Sequence, residues 1–210
     1  MNTESSPNPG VSPSSPPAPG RRGLRRAVVP LVFVGLVVAA GIVGWQFRHH
    51  VVAKNFAEVV PGKLYRSGAL ESGPLKRTLD RYQFRTIICL MRDGQADDPY
   101  LERERQAARD RGIRFVQIGM PGSGCGEFDD LERAAAILAD DSAHPVLVHC
   151  YAGTNRTGAV VAVWRMKYGG WDIDRACEET KRYGKRNPKL EPHLRQYYQE
   201  RILTSSRPAE

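Results

Sequence analysis

The amino-acid sequence predicts an α/β domain over residues 51–204, preceded by one transmembrane helix over residues 27–47. Two observations lead to this prediction. Short β-like apolar runs alternate with amphipathic stretches along most of the chain. One uncharged apolar run near the N-terminus has the length of a membrane span.

The N-terminal part is predicted to be a disordered tail followed by a membrane helix. Residues 1–26 are rich in Ser, Pro and Gly and end in a basic flank, so they cannot bury enough apolar surface to fold. Residues 27–47 carry no charge, and about 20 apolar residues cross a bilayer core of roughly 30 Å. A cleaved signal peptide is the alternative, since Ala39 and Ala40 supply small residues, although its apolar core is usually about 7–15 residues long.

The charge distribution predicts the topology and excludes one class of partner. Four arginines precede the apolar run, so the positive-inside rule predicts a cytoplasmic N-terminus and an extracytoplasmic domain. Residues 1–50 supply half of the net charge of +8. The remainder is too small to indicate nucleic-acid binding, and it is compatible with an anionic substrate.

The cysteines show no metal-binding spacing, and the sequence predicts no metal and no cofactor. The four cysteines are Cys89, Cys125, Cys150 and Cys177, without a CxxC or Cys/His pattern. If the domain is exported, two of these cysteines could form a disulfide, but the sequence does not indicate which two.

The elements of the domain follow from its hydrophobic pattern. The predicted strands are Lys63–Arg66, Thr86–Leu90, Arg114–Ile118 and Val146–His149. The predicted helices are Leu75–Tyr82, Tyr100–Arg111, Asp129–Leu138, Thr157–Tyr168, Asp172–Tyr183 and Pro192–Ile202.

The most informative stretch runs from the strand at Val146 to Gly158. The strand delivers Cys150 into a loop of small residues, and a helix pattern begins near Arg156. Successive backbone N–H groups and a helix N-terminus bind anions, so we expect a phosphate-binding loop. Its predicted members are Tyr151, Ala152, Gly153, Thr154, Asn155 and Arg156.

These residues predict a thiolate nucleophile under a phosphoryl group. The loop should lower the pKa of Cys150 from about 8.5 into a range of roughly 3.5–7.5. Arg156 can bind two phosphoryl oxygens at once. Thr157 can donate a hydrogen bond to the sulfur when it leaves, and His149 is expected to orient the loop.

The pattern His149-Cys150-x-x-Gly153-x-x-Arg156-Thr157-Gly158 resembles the active-site loop of the cysteine-dependent protein tyrosine phosphatases, in their compact dual-specificity branch. The stretches 61–68 and 86–93 are similar to strands of the small bacterial and fungal members. The resemblance implies a central mixed sheet flanked by helices, and metal-free hydrolysis through a phosphocysteine.

The general acid departs from the family pattern. The family usually has an aspartate about thirty residues before the cysteine, where this chain has Met120 and Pro121. Glu127, Asp129 and Asp93 are therefore the candidates. The alternative for Asp129 is a structural one, because an aspartate at that place is typical of a helix N-cap.

Taken together, the sequence predicts a membrane-anchored protein phosphatase. Its expected substrate is a protein phosphorylated on tyrosine, with phosphoserine and phosphothreonine as further targets. The alternatives are a phosphoinositide or small phosphomonoester phosphatase, favoured less because the loop lacks lysine, and a phosphate-binding pseudophosphatase, favoured by the missing aspartate.

Overall fold

The computed structural model describes residues 34–38, 54–92 and 98–204. The chain divides into two units, residues 1–46 and 47–210. In the first unit, residues 34–38 are helical with exposed side chains, and the predicted tail and the rest of the predicted membrane segment lie outside the described residues. No helix within the described ranges is both long and apolar enough to cross a bilayer. The transmembrane helix therefore stays a prediction.

The second unit is built on a five-stranded mixed sheet. Its strands are β1 (Ala57–Val60), β2 (Leu64–Gly68), β3 (Thr86–Cys89), β4 (Arg114–Gln117) and β5 (Val146–Cys150), in the spatial order β1-β2-β5-β3-β4. The first strand pairs antiparallel with β2, and the other pairings are parallel. The prediction of an α/β domain with a mixed central sheet is thus confirmed.

Helices cover both faces of this sheet. They are α1 (Ser72–Tyr82), α2 (Asp98–Arg109), α3 (Phe128–Ala139), α4 (Asn155–Lys167), α5 (Ile173–Lys181) and α6 (Leu190–Tyr197). Because successive strand residues point to opposite faces, Leu147 packs with Leu75 and Leu79 of α1, whereas Val148 belongs to the core that contains α4.

The centre of the sheet determines where the functional residues lie. All five residues of β5 are buried, and β2 and β3 flank it in parallel. The carboxyl ends of these three strands therefore meet at one edge, which is where open α/β sheets bind ligands. Cys150 is the last residue of β5 and stands opposite Gly68 of β2.

Several boundaries differ from the sequence prediction. Strand β1 was not predicted, because it is a four-residue edge strand with an irregular register that pairs, within the described ranges, with β2 alone. Helix α4 begins at Asn155, two residues earlier than predicted, and α6 ends at Tyr197 in a π-helical turn, Tyr198–Leu203. Asp129 does not cap α3, since the N-cap residue is Glu127 and it makes no side-chain cap hydrogen bond.

Candidate active site

The loop between β5 and α4 has a backbone that only glycine permits at its centre. Gly153 has a φ of +72°, in the left-handed region. A Cβ on this residue would lie 2.6 Å from the Gly68 nitrogen and 2.7 Å from the Ser67 carbonyl. The loop therefore packs directly against the end of β2.

The loop carbonyls are held from outside the loop. Three successive ones accept hydrogen bonds: Tyr151 from the Ala69 N–H at 3.0 Å, Ala152 from Asn55 Nδ2 at 2.8 Å, and Gly153 from Arg66 Nη2 at 2.6 Å. The N–H of a trans peptide points away from its carbonyl, so the following amides turn inward. The Gly153 N–H accordingly donates to the Cys150 sulfur at 3.3 Å. This is the geometry of an anion-binding nest.

Cys150 is the buried thiol at the centre of this nest. Its side chain is almost inaccessible, and burial by itself opposes the charged thiolate. The Thr157 hydroxyl, the Arg156 charge and two backbone N–H groups outweigh that effect and lower the pKa of Cys150 below its usual value. The nucleophile expected from the sequence therefore lies where its thiolate is stabilised.

Arg156 and Thr157 begin α4 directly beside the sulfur. One guanidinium nitrogen of Arg156 donates to the Leu90 carbonyl at the end of β3, at 3.3 Å. No carboxylate in the described part of the chain pairs with Arg156, so its remaining N–H groups are available to an anion. The Thr157 hydroxyl is wholly buried and makes no hydrogen bond to a described residue, and it helps to lower the pKa of Cys150.

Segments on both sides hold the start of α4. The Asn155 side chain donates to the Gly122 carbonyl at 3.1 Å and accepts from the Asn187 N–H at 2.9 Å. The Thr154 hydroxyl donates to the Tyr183 carbonyl at 3.0 Å. The glycine-rich loop before α3 and the segment after α5 therefore both reach the phosphate loop.

His149 leaves β5 on the opposite face from Cys150. Its Nε2 lies 2.8 Å from a carboxylate oxygen of Glu104 on α2, as an ion pair without hydrogen-bond alignment. Burial favours the neutral ring, but Glu104 and Cys89 raise the pKa of His149 well above its usual value. The donor atoms of these three buried residues lie within 4.8 Å of one another. All four cysteines of the chain are free.

Two of the three candidate acids, Glu127 and Asp129, line one cavity of about 270 Å³ together with His193 and Arg201, and no residue of the phosphate loop lines it. Asp129 pairs with Arg201 at 2.8 Å and is largely exposed. Asp93 lies outside the described residues. The identity of the general acid therefore stays a prediction.

Three contacting residues were missed by the sequence reasoning. Arg66 and Asn55 bind the loop carbonyls, and Glu104 pairs with His149. For Arg66 a signal was available, since a charged residue inside an apolar strand needs a buried partner. Neither Asn55 nor Glu104 stands out among the polar residues around it.

Comparison with known proteins agrees with this geometry. A model described as the tyrosine phosphatase family matches residues 50–208. The rice inositol diphosphatase DSP1 is 34% identical over 134 residues, which are 61% of this chain and 56% of that protein. The dual specificity protein phosphatase TpbA of Pseudomonas aeruginosa (strain UCBPP-PA14) is 31% identical over 121 residues, 58% of this chain and 51% of that protein. The chain thus spans just over half the length of these relatives.

Solved structures share the fold. The core catalytic domain of the PP-IP phosphatase SIW14 from Saccharomyces cerevisiae, in complex with citrate, aligns with a TM-score of 0.59 at 22% identity, over 72% of this chain and 90% of that one. The structure of TpbA from P. aeruginosa aligns with a TM-score of 0.55 at 24% identity, over 72% and 88% of the two chains.

Proposed function

The chain belongs to the tyrosine phosphatase family and is a phosphatase; from that premise we propose that it hydrolyses phosphotyrosine in proteins, and also phosphoserine and phosphothreonine, through a phosphocysteine intermediate. The observation that carries the proposal is the Cys150 thiol, with its lowered pKa, inside a loop whose amides and Arg156 converge on it. A thiol that is almost wholly buried beneath the loop suits a phosphate on a long aryl side chain.

The proposed reaction has two displacements. The Cys150 thiolate attacks phosphorus, so that an S–P bond forms while the P–O bond to the leaving group breaks. Loop amides and Arg156 hold the three equatorial oxygens as their charge shifts. One of Glu127, Asp129 and Asp93 protonates the leaving oxygen.

In the second displacement water attacks the phosphocysteine. The same carboxylate takes a proton from that water, the S–P bond breaks and inorganic phosphate leaves. The Thr157 hydroxyl donates to the departing sulfur, and this stabilises the thiolate that is regenerated. No metal or cofactor takes part in either displacement.

A direct test is the hydrolysis of an aryl phosphate and of a phosphotyrosine peptide by the full chain in detergent, with Cys150→Ser as the control. We expect vanadate-sensitive turnover from the parent and none from the variant. Retained vanadate binding without turnover in the parent would leave only the phosphate-binding pseudophosphatase.

A second candidate is a phosphatase of inositol phosphates or phosphoinositides. Several relatives are named inositol diphosphatases. Arg182 and Lys185 are exposed cations on either side of Tyr183, whose carbonyl binds Thr154 of the phosphate loop. Cations at that place suit a substrate with phosphates beyond the one that reacts.

The two candidates are distinguished by substituting these cations. If the substrate is an inositol polyphosphate, Arg182→Gln with Lys185→Gln should lower kcat/KM for it by about 10-fold or more and leave aryl phosphate turnover unchanged. Lys76→Gln, an exposed cation on α1, is the control. Unchanged turnover of both substrates would point to the protein phosphatase, and equal loss on both would mean that the substitutions disturb the phosphate loop through Tyr183.

We further propose that residues 27–47 anchor the domain in a membrane with the N-terminus in the cytoplasm. The uncharged run and the four preceding arginines support this topology. We expect activity from a C-terminal reporter enzyme that works only outside the cytoplasm. Activity from a C-terminal reporter that works only inside the cytoplasm would overturn the topology. A shortened mature chain would indicate the cleaved signal peptide instead.

A further inference from the structure

Arg66 is a charged side chain inside the core, directly beneath the phosphate loop. It lies in the middle of β2 and is 1% exposed, and among the described residues it is the largest fully buried side chain. Its Nη2 donates to the Gly153 carbonyl at 2.6 Å, and its guanidinium carbon lies 3.5 Å from the centre of the Tyr183 ring. The first contact is to the phosphate loop itself, and the second is to the segment whose Tyr183 carbonyl binds Thr154 of that loop.

The guanidinium has no direct ion pair with a carboxylate in the described ranges. Burial lowers the pKa of Arg66, whereas Tyr183, Glu179 and the Cys150 thiolate act in the opposite direction by favouring its charged form. Its Nε is buried without a hydrogen-bond partner. A buried cation without a direct counter-ion is costly, so this charge has a purpose other than packing.

The contact with Gly153 determines how one peptide of the loop is oriented. With the Gly153 carbonyl bound to Arg66, the N–H of the same peptide, which belongs to Thr154, points the other way, into the nest. Asn55 acts in the same manner one peptide earlier, because its Nδ2 holds the Ala152 carbonyl. Asn55 is neutral and Arg66 is charged, so a comparison of their substitutions distinguishes the effect of orienting a loop peptide from the effect of a positive charge.

We propose that Arg66 is a positioning residue of the phosphate loop, which fixes the Gly153–Thr154 peptide with its N–H toward the phosphoryl group and stabilises the thiolate and the bound dianion by its unpaired charge. The role assigned to the dianion rests on the proposed phosphatase function. The role assigned to the thiolate does not, because it concerns the free enzyme.

The test compares Arg66→Met with Arg175→Met in the full chain. Arg175 is the matched control, since its guanidinium stacks on Trp171 at 3.7 Å but is exposed and far along the chain from the loop. Two quantities are measured: the pH midpoint of Cys150 alkylation by iodoacetamide, and kcat and KM for an aryl phosphate. Circular dichroism and thermal melting check that each variant folds.

For Arg66→Met we expect a higher midpoint of alkylation and a fall in kcat/KM of about 10- to 100-fold, mainly in kcat, because the misplaced N–H is needed most in the transition state. Arg175→Met should match the parent. A folded Arg66→Met with the parent's midpoint and with kcat/KM within twofold would overturn the proposal.

Two milder variants keep the test decisive if Arg66→Met does not fold. Arg66→Lys keeps the charge but not the guanidinium that bonds the Gly153 carbonyl and stacks on Tyr183, so we expect a midpoint near the parent's with a lowered kcat. Asn55→Gly removes a neutral donor without backbone strain, because Asn55 has a φ of +49°, and should also lower kcat alone. Parent-like kcat in both variants would overturn the orienting role. If the parent shows no turnover but Arg66→Met still raises the alkylation midpoint, the phosphatase function is refuted, whereas the role of Arg66 in stabilising the thiolate is not.

Discussion

Nε2 of His149 lies 2.8 Å from a carboxylate oxygen of Glu104, and both side chains are buried beneath the strand that ends in Cys150. The pair joins β5 to α2 on the face of the sheet opposite the nucleophile. Although burial disfavours a charged ring, Glu104 and Cys89 keep the pKa of His149 well above its usual value. The ion pair therefore favours the charged imidazolium over the neutral ring in the folded protein.

Glu104→Gln should destabilise the protein in a pH-dependent way. Removing one partner of a buried ion pair costs about 3–5 kcal/mol. Because the pKa of His149 is raised on folding, its contribution is fully present below its unfolded value of about 6.5 and is lost as pH rises through the folded value. We expect the loss in urea unfolding free energy to be larger at pH 5.5 than at pH 9.

Glu102→Gln is the control for this experiment. Glu102 lies on the same helix and pairs with Arg109 at 2.9 Å, but it is exposed. Because solvent screens this pair, its loss should change the free energy of unfolding little at either pH. Equal destabilisation by Glu104→Gln at both pH values would mean that His149 is neutral in the folded protein.

Thr157→Val should impair catalysis without loss of stability. Among the described residues the Thr157 hydroxyl has no hydrogen-bond partner, although it is buried and favours the thiolate form of Cys150. Because the Thr157 hydroxyl stabilises the thiolate form, its removal should raise the pKa of Cys150. The acid limb of the kcat/KM profile should then move to higher pH, while the melting temperature stays unchanged or rises.

Thr180→Val gives the opposite pattern. The Thr180 hydroxyl is also buried, but it donates to the Cys177 carbonyl at 2.7 Å and accepts from Arg186 at 3.0 Å. We expect a lower melting temperature and an unchanged acid limb. A Thr157→Val variant with the parent's pH profile would contradict the role given to its hydroxyl.

Gly153→Ala should be far more damaging than Gly62→Ala. Both glycines have positive φ, +72° and +71°, so both substitutions carry the left-handed backbone cost of roughly 1–2 kcal/mol. At Gly62 the new methyl group meets nothing within 4 Å, whereas at Gly153 it meets the backbone of β2 at 2.6 Å. We therefore expect phosphate inhibition and turnover to be lost only in Gly153→Ala. Thermal melting and inhibition by inorganic phosphate measure the two effects separately.

The general acid can be identified from pH profiles of Glu127→Gln, Asp129→Asn and Asp93→Asn. The variant of the residue that donates the proton should lose the fall in kcat at high pH. Its kcat for an alkyl phosphate should also decrease by about 10²–10⁴-fold. We expect Asp93→Asn to show this loss, because Asp129 pairs with Arg201 and Glu127 lines a separate cavity. Asp93 comes three positions after Leu90 in the sequence, and the Leu90 carbonyl accepts a hydrogen bond from Arg156. If all three variants keep the basic limb, another group donates the proton.

The chemistry of the loop was predictable from the sequence because it is local. A buried strand, a glycine able to adopt positive φ and a helix start are neighbours in the chain, and together they place Cys150 in front of its anion-binding amides. The alternation of elements likewise predicted the α/β sheet. Both predictions rest on patterns within short stretches of the sequence and not on knowing which distant segments meet.

The tertiary structure decided what holds that loop. Arg66 and Gly153 are 87 positions apart, and Asn55 and Ala152 are 97 positions apart. They meet because β2 pairs with β5 in the sheet order, and Glu104 meets His149 because α2 packs over the same strand. Hydrophobic periodicity reports which residues are buried, but it does not report which strand lies next to which. The sequence by itself therefore determined the candidate nucleophile and the loop around it, and only the folded sheet determined which distant residues contact that loop.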